Sequence, residues 1–321
     1  MIDRRWVLGA IAAGLAGPAP ARGRVKAAQA APDLTGTWTN AWYTKLERPK
    51  GFAGLIATPA EAEAYEAPRR GLHGELPGGP NDEDLGQNEA EFPENGPGLA
   101  RIKGQIRSSW IVDPADGRIP WSEAGRKRLH IGEKPPEIFE WFDNPEQRDA
   151  EERCLTAPGV GPPMINTHDG NVIDVVQAPG WLVIVGEKLH DVRIVELPGA
   201  GAPAPTWEPG EWHGRSVGRW KGATLVVETL GGWRPGLTKN HDVLTLSDRS
   251  RVVERFTRTG PGELAYDFEV ADPDLFTRTW RAEMVFRRSE GRLFEYACHE
   301  GNYGLPDILA MHRRMEAAAK K

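Results

Sequence analysis

Long apolar runs are missing from this chain of 321 residues. A helix needs about 20 consecutive apolar residues to cross a bilayer, and no segment of the sequence approaches that length. We therefore expect no stable membrane insertion. A large excess of one charge sign is also missing, because the 40 Lys and Arg nearly balance the 46 Asp and Glu and leave a net charge of −6. Without a basic excess, the composition gives no reason to expect nucleic acid as a partner.

Cysteine is nearly absent, since Cys154 and Cys298 are the only two in the sequence. In an oxidising compartment such a pair is a candidate disulfide, and it would close a very long loop. Two buried free thiols are the alternative. A zinc site would need further ligands at close spacing, and none flank Cys154.

The short motifs that mark well-known catalytic sites are missing as well. The sequence has no phosphate loop, no dinucleotide glycine fingerprint, no Gly-x-Ser-x-Gly elbow and no His-Glu-x-x-His. We therefore predict no cofactor. Four side chains could form a metal site only if the fold brought them together, and we predict none: Glu187, His190, His213 and His299.

The first thirty residues have the pattern of an export signal. Arg4 and Arg5 precede a short apolar run at 7–15, and the small-residue triplets at 19–21 and 28–30 are candidate cleavage sites. The arginine pair is typical of the twin-arginine type, with an ordinary signal as the alternative. We predict a mature protein that begins between Arg22 and Pro32 and is periplasmic or secreted.

The C-terminal half has the period-two pattern of β-strands with one buried face. Turn residues separate these runs about every ten residues, with no helical period between them, which indicates an antiparallel barrel or sandwich. We favour a lipocalin-like barrel, because residues 34–38 resemble the opening strand of such barrels. One domain at 31–321 follows from this pattern. The predicted strands are 172–176, 181–185, 192–195, 223–229, 264–270 and 280–286.

The N-terminal half is irregular between about 45 and 150, and we predict a long loop or lid there with a few short helices. Thr58 followed by Pro59 and Glu61 is typical of a capped helix start. Residues 118–149 are predicted to hold short helical turns.

Histidines among carboxylates and arginines form three candidate clusters. The first joins Glu187, His190 and Arg193 at a predicted hairpin, with a solvated hairpin tip as the alternative. Histidine suits proton transfer because its ordinary pKa, about 6.5, lies near neutrality.

The second cluster, at 212–220, is a predicted strand that begins with Trp212. His213, Arg215 and Arg219 share one face of it if the strand is regular, and the two arginines would hold an anion there. Surface ion pairing is the alternative. The third cluster, at 295–304, contains His299 and Tyr303 and is predicted to form the end of the last strand. His241 and Asn166 are weaker candidates.

Seven segments carry a resemblance to known proteins: 154–155, 175–180, 190–193, 214–222, 224–229, 253–256 and 298–302. Together they resemble a large family of exported bacterial proteins. The likeness covers roughly 153–303, about half of the chain, and implies a predominantly β fold. It also implies, as an expectation, a cofactor-independent carbon–carbon lyase that releases formaldehyde from lignin-derived aromatic dimers. Ala223 departs from the family pattern, which usually has an acidic residue there.

These observations predict an exported enzyme that binds an aromatic or apolar small molecule in a cavity lined by some of its 12 tryptophans. A non-catalytic carrier and a metal-dependent hydrolase are the alternatives, and a homodimer is left open. The predicted catalytic residues are His190, His299, Glu187, Arg193 and Tyr303, and the predicted substrate-binding residues are His213, Arg215, His241, Asn166 and Trp212.

Overall fold

The computed structural model describes the greater part of the chain. The described residues are 31–70, 96–128, 144–148, 150–157, 159–167, 170–199, 201, 206, 212–231 and 244–319. The predicted export signal, His241 and much of the predicted lid lie outside them.

Strands dominate the described residues, which also contain three α-helices. The strands are β1 Gly36–Thr39, β2 Arg101–Ile102, β3 Gln105–Ile106, β4 Ile111–Asp113, β5 Val172–Ala178, β6 Trp181–Gly186, β7 Val192–Glu196, β8 Arg215–Lys221, β9 Thr224–Leu230, β10 Arg251–Gly260, β11 Glu263–Ala271 and β12 Trp280–Arg288. The helices are α1 Pro59–Arg70, α2 Glu123–Arg128 and α3 Gly304–Ala319.

Nine strands close into a barrel in the order β1-β5-β6-β7-β8-β9-β10-β11-β12, with β12 pairing back to β1. The predicted β-barrel with few short helices is confirmed. β4 adds to β12 outside this ring, and β2 pairs only with β3. Lipocalin barrels have eight antiparallel strands, whereas this barrel has nine and one of its pairings is parallel.

The parallel pairing joins β7 to β8, with Val195 opposite Ser216 and Glu196 opposite Val217. Parallel neighbours need a crossover that returns the chain to the end at which the first strand began. The connection from Glu196 to Arg215 makes that return. Consequently β7 and β8 begin at the same end of the barrel, beside the end of β6.

Aromatic side chains fill the barrel interior. Tyr266 lies at its centre, with ring centres 5.4 Å from Phe268 and 5.6 Å from Phe286. Trp280 packs edge-on against Phe268 at 5.7 Å, and Trp38 is fully buried. The space that the sequence suggested as a tryptophan-lined hollow is therefore occupied by tryptophans and their neighbours.

A buried segment at 159–165 contributes to the same core. Val160 and Met164 have no exposed surface. The Met164 amide donates to the Tyr266 hydroxyl at 2.9 Å, and the Val160 carbonyl accepts from Arg193 at 3.5 Å. This segment packs into the barrel as a plug and satisfies polar groups that would otherwise be buried without partners.

The first helix lies where the sequence predicts it, whereas the C-terminal part of the structure differs from the prediction. α1 has the predicted capping box, because the Glu61 amide donates to Thr58 Oγ1 at 3.2 Å and Glu61 accepts from the Thr58 amide at 2.8 Å. The segment 295–303 does not end a strand. The last strand stops at Arg288, and irregular backbone leads from there into α3, which the sequence patterns did not reveal.

The predicted cysteine pair is confirmed, because Cys154 and Cys298 are bonded with their Cα atoms 5.9 Å apart. The bond joins the irregular C-terminal segment to the chain that leads into the plug. Of the helices in the described ranges, none has both the length and the apolar character required to span a membrane.

Candidate functional site

A groove of about 690 Å³ lies on the outside of the barrel, along β7 and the beginning of β8. Val192 and Ile194 alternate along β7 with Arg193 and Val195, which are buried inside the barrel. The alternation directs Val192 and Ile194 outward into the groove. The residues that line the groove are Trp181, Asp191, Val192, Arg193, Ile194, Glu196, Trp212, His213, Gly214, Arg215 and Ser216.

The groove contains large apolar side chains that are exposed on the outside of the barrel. Trp181 is 47% exposed, Trp212 is 41% exposed and Ile194 is 54% exposed. Trp181 lies directly opposite Glu196, and Val183 directly opposite Ile194, so the apolar side chains are neighbours across the strands. Exposed tryptophans beside polar groups in one concavity are typical of a small-molecule site.

A carboxylate and an imidazole meet at one end of the groove. His213 Nε2 lies 3.1 Å from Asp191 Oδ1. The other oxygen of Asp191 accepts from Thr156 Oγ1 at 2.5 Å and from the Ala157 amide at 2.9 Å. Burial alone would raise the pKa of Asp191, but the bond to His213 and the bonds from Thr156 and Ala157 outweigh it and lower that pKa.

The backbone around this pair is held by two turns of unusual geometry. Leu189 and His190 have φ of 57° and 49°, and the Gly186 amide donates to the Asp191 carbonyl at 2.8 Å. Gly214 has φ of 63°, and a Cβ there would lie 2.3 Å from the Gly231 carbonyl oxygen. Only glycine fits that position, so Gly214 is what lets His213 lie beside Asp191.

Arg215 brings positive charge to the groove. Its guanidinium lies 3.3 Å from the Glu196 carboxylate, and both side chains are about one-third exposed. Exposed pairs of this kind contribute little to stability. Such a pair can open to receive an anionic group.

Arg193 has a different position from the one predicted, because it points into the barrel. A guanidinium has five N–H donors, and in the described structure all five are engaged. It forms an ion pair with Glu254, which also accepts from the Tyr266 hydroxyl at 2.7 Å. Burial alone would lower the pKa of Arg193, but Glu254 outweighs it and raises that pKa. The acceptors are the two Glu254 oxygens, Ser216 Oγ, Thr229 Oγ1 and the Val160 carbonyl.

The remaining catalytic candidates lie outside the groove lining. His190, His299 and Tyr303 are exposed. Glu187 accepts from the amide of Phe294, the residue just before the third cluster, at 2.9 Å. That contact and the Cys154–Cys298 bond attach the segment 294–298 to other parts of the chain.

Asn166, a predicted substrate-binding residue, forms hydrogen bonds within the fold. Its amide donates to the carbonyls of Trp42 and Thr44 at 3.0 and 3.1 Å, and its oxygen accepts from Trp110 Nε1 at 2.7 Å. These bonds tie the plug to the chain that follows β1. They leave Asn166 far better suited to holding the fold than to contacting a ligand.

The structure thus brings together His213, Arg215 and Trp212 from the predicted set, and adds Asp191, Trp181 and Ile194. The signal for Trp181 was its place directly after the Pro179-Gly180 turn, at an outward position of an otherwise apolar strand. In the described ranges no group of three or more His, Cys, Asp and Glu is placed to hold a metal ion.

Comparison with family models, with curated proteins and with solved structures finds no match for this chain. The family resemblance inferred from the sequence therefore stays a prediction.

Proposed function

We propose that the protein binds a small aromatic molecule in the groove beside β7. The observation that carries this proposal is the pair of half-exposed indoles, Trp181 and Trp212, in the lining of one concavity. Exposed tryptophans offer large flat apolar faces on which an aromatic ring can stack. Small-molecule sites commonly enclose about 300–1,000 Å³, and the groove falls in that range.

The polar groups of the groove suit a ligand with a hydroxyl or an anionic end. Arg215 can donate to a phenolate or carboxylate, and Glu196 can accept from a hydroxyl. A few polar groups among apolar walls are what fixes a ligand's orientation in such sites. A hydroxylated aromatic compound therefore fits the lining better than a purely apolar one.

Acid/base catalysis in this groove is the second candidate, and the Asp191–His213 pair favours it. A carboxylate that holds an imidazole by hydrogen bonding sets the tautomer and orientation of the ring, as proton-transfer sites require. In this proposal His213 transfers the proton, Asp191 orients it and Arg215 stabilises negative charge. The reaction would be the predicted cofactor-free release of formaldehyde from a hydroxymethyl group on a lignin-derived aromatic dimer.

Export to an oxidising compartment is part of the proposal. The sequence has the pattern of a signal at 1–30, and the Cys154–Cys298 pair lies at bonding distance. Disulfides persist mainly in the periplasm and outside the cell, so both observations favour the same location.

Binding is tested by calorimetric titration with 2-naphthol, a neutral hydroxylated aromatic probe. We expect Trp181→Ala to weaken binding about tenfold, which corresponds to ~1.4 kcal/mol. Phe294→Ala is the matched control, because Phe294 is also highly exposed but does not line the groove. Equal affinity for the wild type and Trp181→Ala, or no binding to the wild type, would contradict the proposal.

Catalysis is tested by incubating the protein with aromatic dimers that carry a hydroxymethyl side chain and measuring formaldehyde. General acid/base assistance is worth about 10²–10⁴-fold, so His213→Ala should lower turnover by that range while retaining dimer binding. His190→Ala and His299→Ala, run alongside, show whether the exposed histidines take part. Formaldehyde release that His213→Ala leaves unchanged would reject the role of His213.

A further inference from the structure

A second groove, of about 380 Å³, lies where the chain at 97–101 passes the end of β12. It belongs to a different part of the barrel from the groove beside β7 and shares no lining residue with it. The residues that line it are Trp42, Glu66, Pro97, Gly98, Leu99, Arg101, Gly262, Glu263, Val285, Phe286 and Arg287.

Arg287 is the unusual member of this lining. It is half-buried, and its Nε is buried without a hydrogen-bond partner in the described structure. Burial lowers the pKa of its guanidinium, and no neighbouring carboxylate opposes that shift. Arginine nevertheless keeps its charge in proteins, so a partly desolvated cation faces this groove without a counter-ion from the described chain.

Two other arginines that are buried or partly buried have carboxylate partners. Arg255 on β10 is paired with Asp267 and Glu269, at 3.0 and 2.9 Å. Arg107 is paired with Glu283 of β12 at 2.8 Å. A partly buried charge is unfavourable unless something offsets it. Arg287 therefore differs from Arg255 and Arg107 in having no carboxylate partner in the described structure.

The carboxylates in the groove lining are held by other donors. Glu66 accepts from the Leu99 amide at 2.7 Å, and Glu263 accepts from Thr259 Oγ1 at 2.5 Å. Glu263 lies opposite Arg287 in the strand register, but no ion pair joins them. Arg101, which is exposed, adds a second positive charge to the lining.

Trp42 supplies an aromatic surface next to this charge. Its Nε1 donates to the Val285 carbonyl at 2.9 Å, which holds the indole in place. The Arg287 guanidinium carbon lies 5.9 Å from the centre of the Trp42 ring. Pro97, Leu99 and Phe286 extend the apolar part of the lining.

We propose that this groove is a binding site for a small aromatic carboxylate. The carboxylate would accept hydrogen bonds from Arg287, with Arg101 as the second cation, and the ring would lie against Trp42. A guanidinium binds a planar carboxylate with two parallel hydrogen bonds, and an anion in the groove would supply the charge that the described chain does not. The site is independent of the groove beside β7.

Calorimetric titration of the whole protein with sodium benzoate tests this site. We expect benzoate to bind in the millimolar range or tighter, and benzamide, which has the same shape without the charge, to bind at least tenfold more weakly. Arg287→Gln should weaken benzoate binding at least tenfold, and Arg287→Lys less. Arg101→Gln, a change at an exposed side chain that leaves the fold intact, should weaken it severalfold.

Two further variants make the result specific. Arg281→Gln removes a cation from the same strand outside the groove, where Arg281 lies 3.7 Å from Glu269, and should leave benzoate binding unchanged. Trp181→Ala should also leave it unchanged, which separates this site from the one beside β7. The proposal is overturned if benzoate does not bind or if benzamide binds as tightly as benzoate. It is also overturned if Arg287→Gln and Arg101→Gln both bind benzoate as tightly as the wild type.

Discussion

At the scale of single residues, Arg193 shows that the face of the strand on which a residue lies decides its role. β7 has the sequence Val-Arg-Ile-Val-Glu, in which apolar residues fall on both faces. From such a pattern the inward face cannot be identified, because period two distinguishes the faces only when one of them is polar. The prediction placed Arg193 at a cavity mouth, whereas pairing with Glu254 holds it inside the barrel.

Removing the counter-charge of Arg193 should destabilise the protein strongly. Arg193 and Glu254 are 1% and 0% exposed, and losing one partner of a buried pair typically costs about 3–5 kcal/mol. We expect Glu254→Gln to lower the free energy of unfolding by that amount in urea denaturation. Glu228→Gln is the control, because Glu228 pairs with the exposed Arg251 and such pairs are worth about 0–1 kcal/mol. Equal losses in both variants would show that burial does not govern this pair.

At the scale of elements, most strands were predictable together with their beginnings, and the beginning of β8 was not. Six of the predicted strands correspond to β5, β6, β7, β9, β11 and β12, because β-branched and aromatic residues alternate there between clear turns. β8 begins at Arg215 rather than at Trp212, since Gly214 turns the chain just before it. That turn decides that His213 contacts Asp191 instead of continuing the face of Arg215.

The turn at Gly214 can be tested against a second glycine of the same conformation. Gly222, in the β8–β9 turn, has φ of 62° with no atom near its missing Cβ. Gly222→Ala should lower the free energy of unfolding by about 1–2 kcal/mol, because only the left-handed backbone conformation becomes unfavourable there. Gly214→Ala should cost a further ~1–3 kcal/mol, because its Cβ would press on the backbone of Leu230 and Gly231. Chemical denaturation of both variants measures the difference, and equal losses would show that the contact at Gly214 relaxes freely.

At the scale of the whole molecule, the disulfide joins parts of the chain that the barrel itself does not pair. Cys154 and Cys298 are 144 residues apart in sequence, and the bonded loop contains every barrel strand except β1. Beyond Arg288 the described chain forms no strand, and most side chains of α3 are exposed. The bond and a few contacts, such as Glu187 with Phe294, are what hold this end of the chain to the barrel.

Loss of this bond should lower stability substantially. Closing a loop of 144 residues restricts the unfolded chain by about 5 kcal/mol in the chain-entropy model, and removal of native disulfides typically costs about 2–5 kcal/mol. We expect Cys298→Ser and Cys154→Ser each to lower the free energy of unfolding by about 2–5 kcal/mol in urea denaturation. The double variant should lose no more than either single one. Additive losses would mean that the two sulfurs stabilise the fold separately.

The sequence by itself determined the class of fold, because alternating side chains and turn residues are local properties that strand formation requires wherever the strand finally lies. It also indicated the cysteine pair, since a chain with two cysteines has one pairing available. Only the tertiary structure decided what the strands enclose. Whether a barrel holds a ligand or packed side chains depends on which faces turn inward and on what plugs its end. The same closure left Trp181 and Ile194 outside and placed Arg287 in a groove without a counter-ion in the described chain.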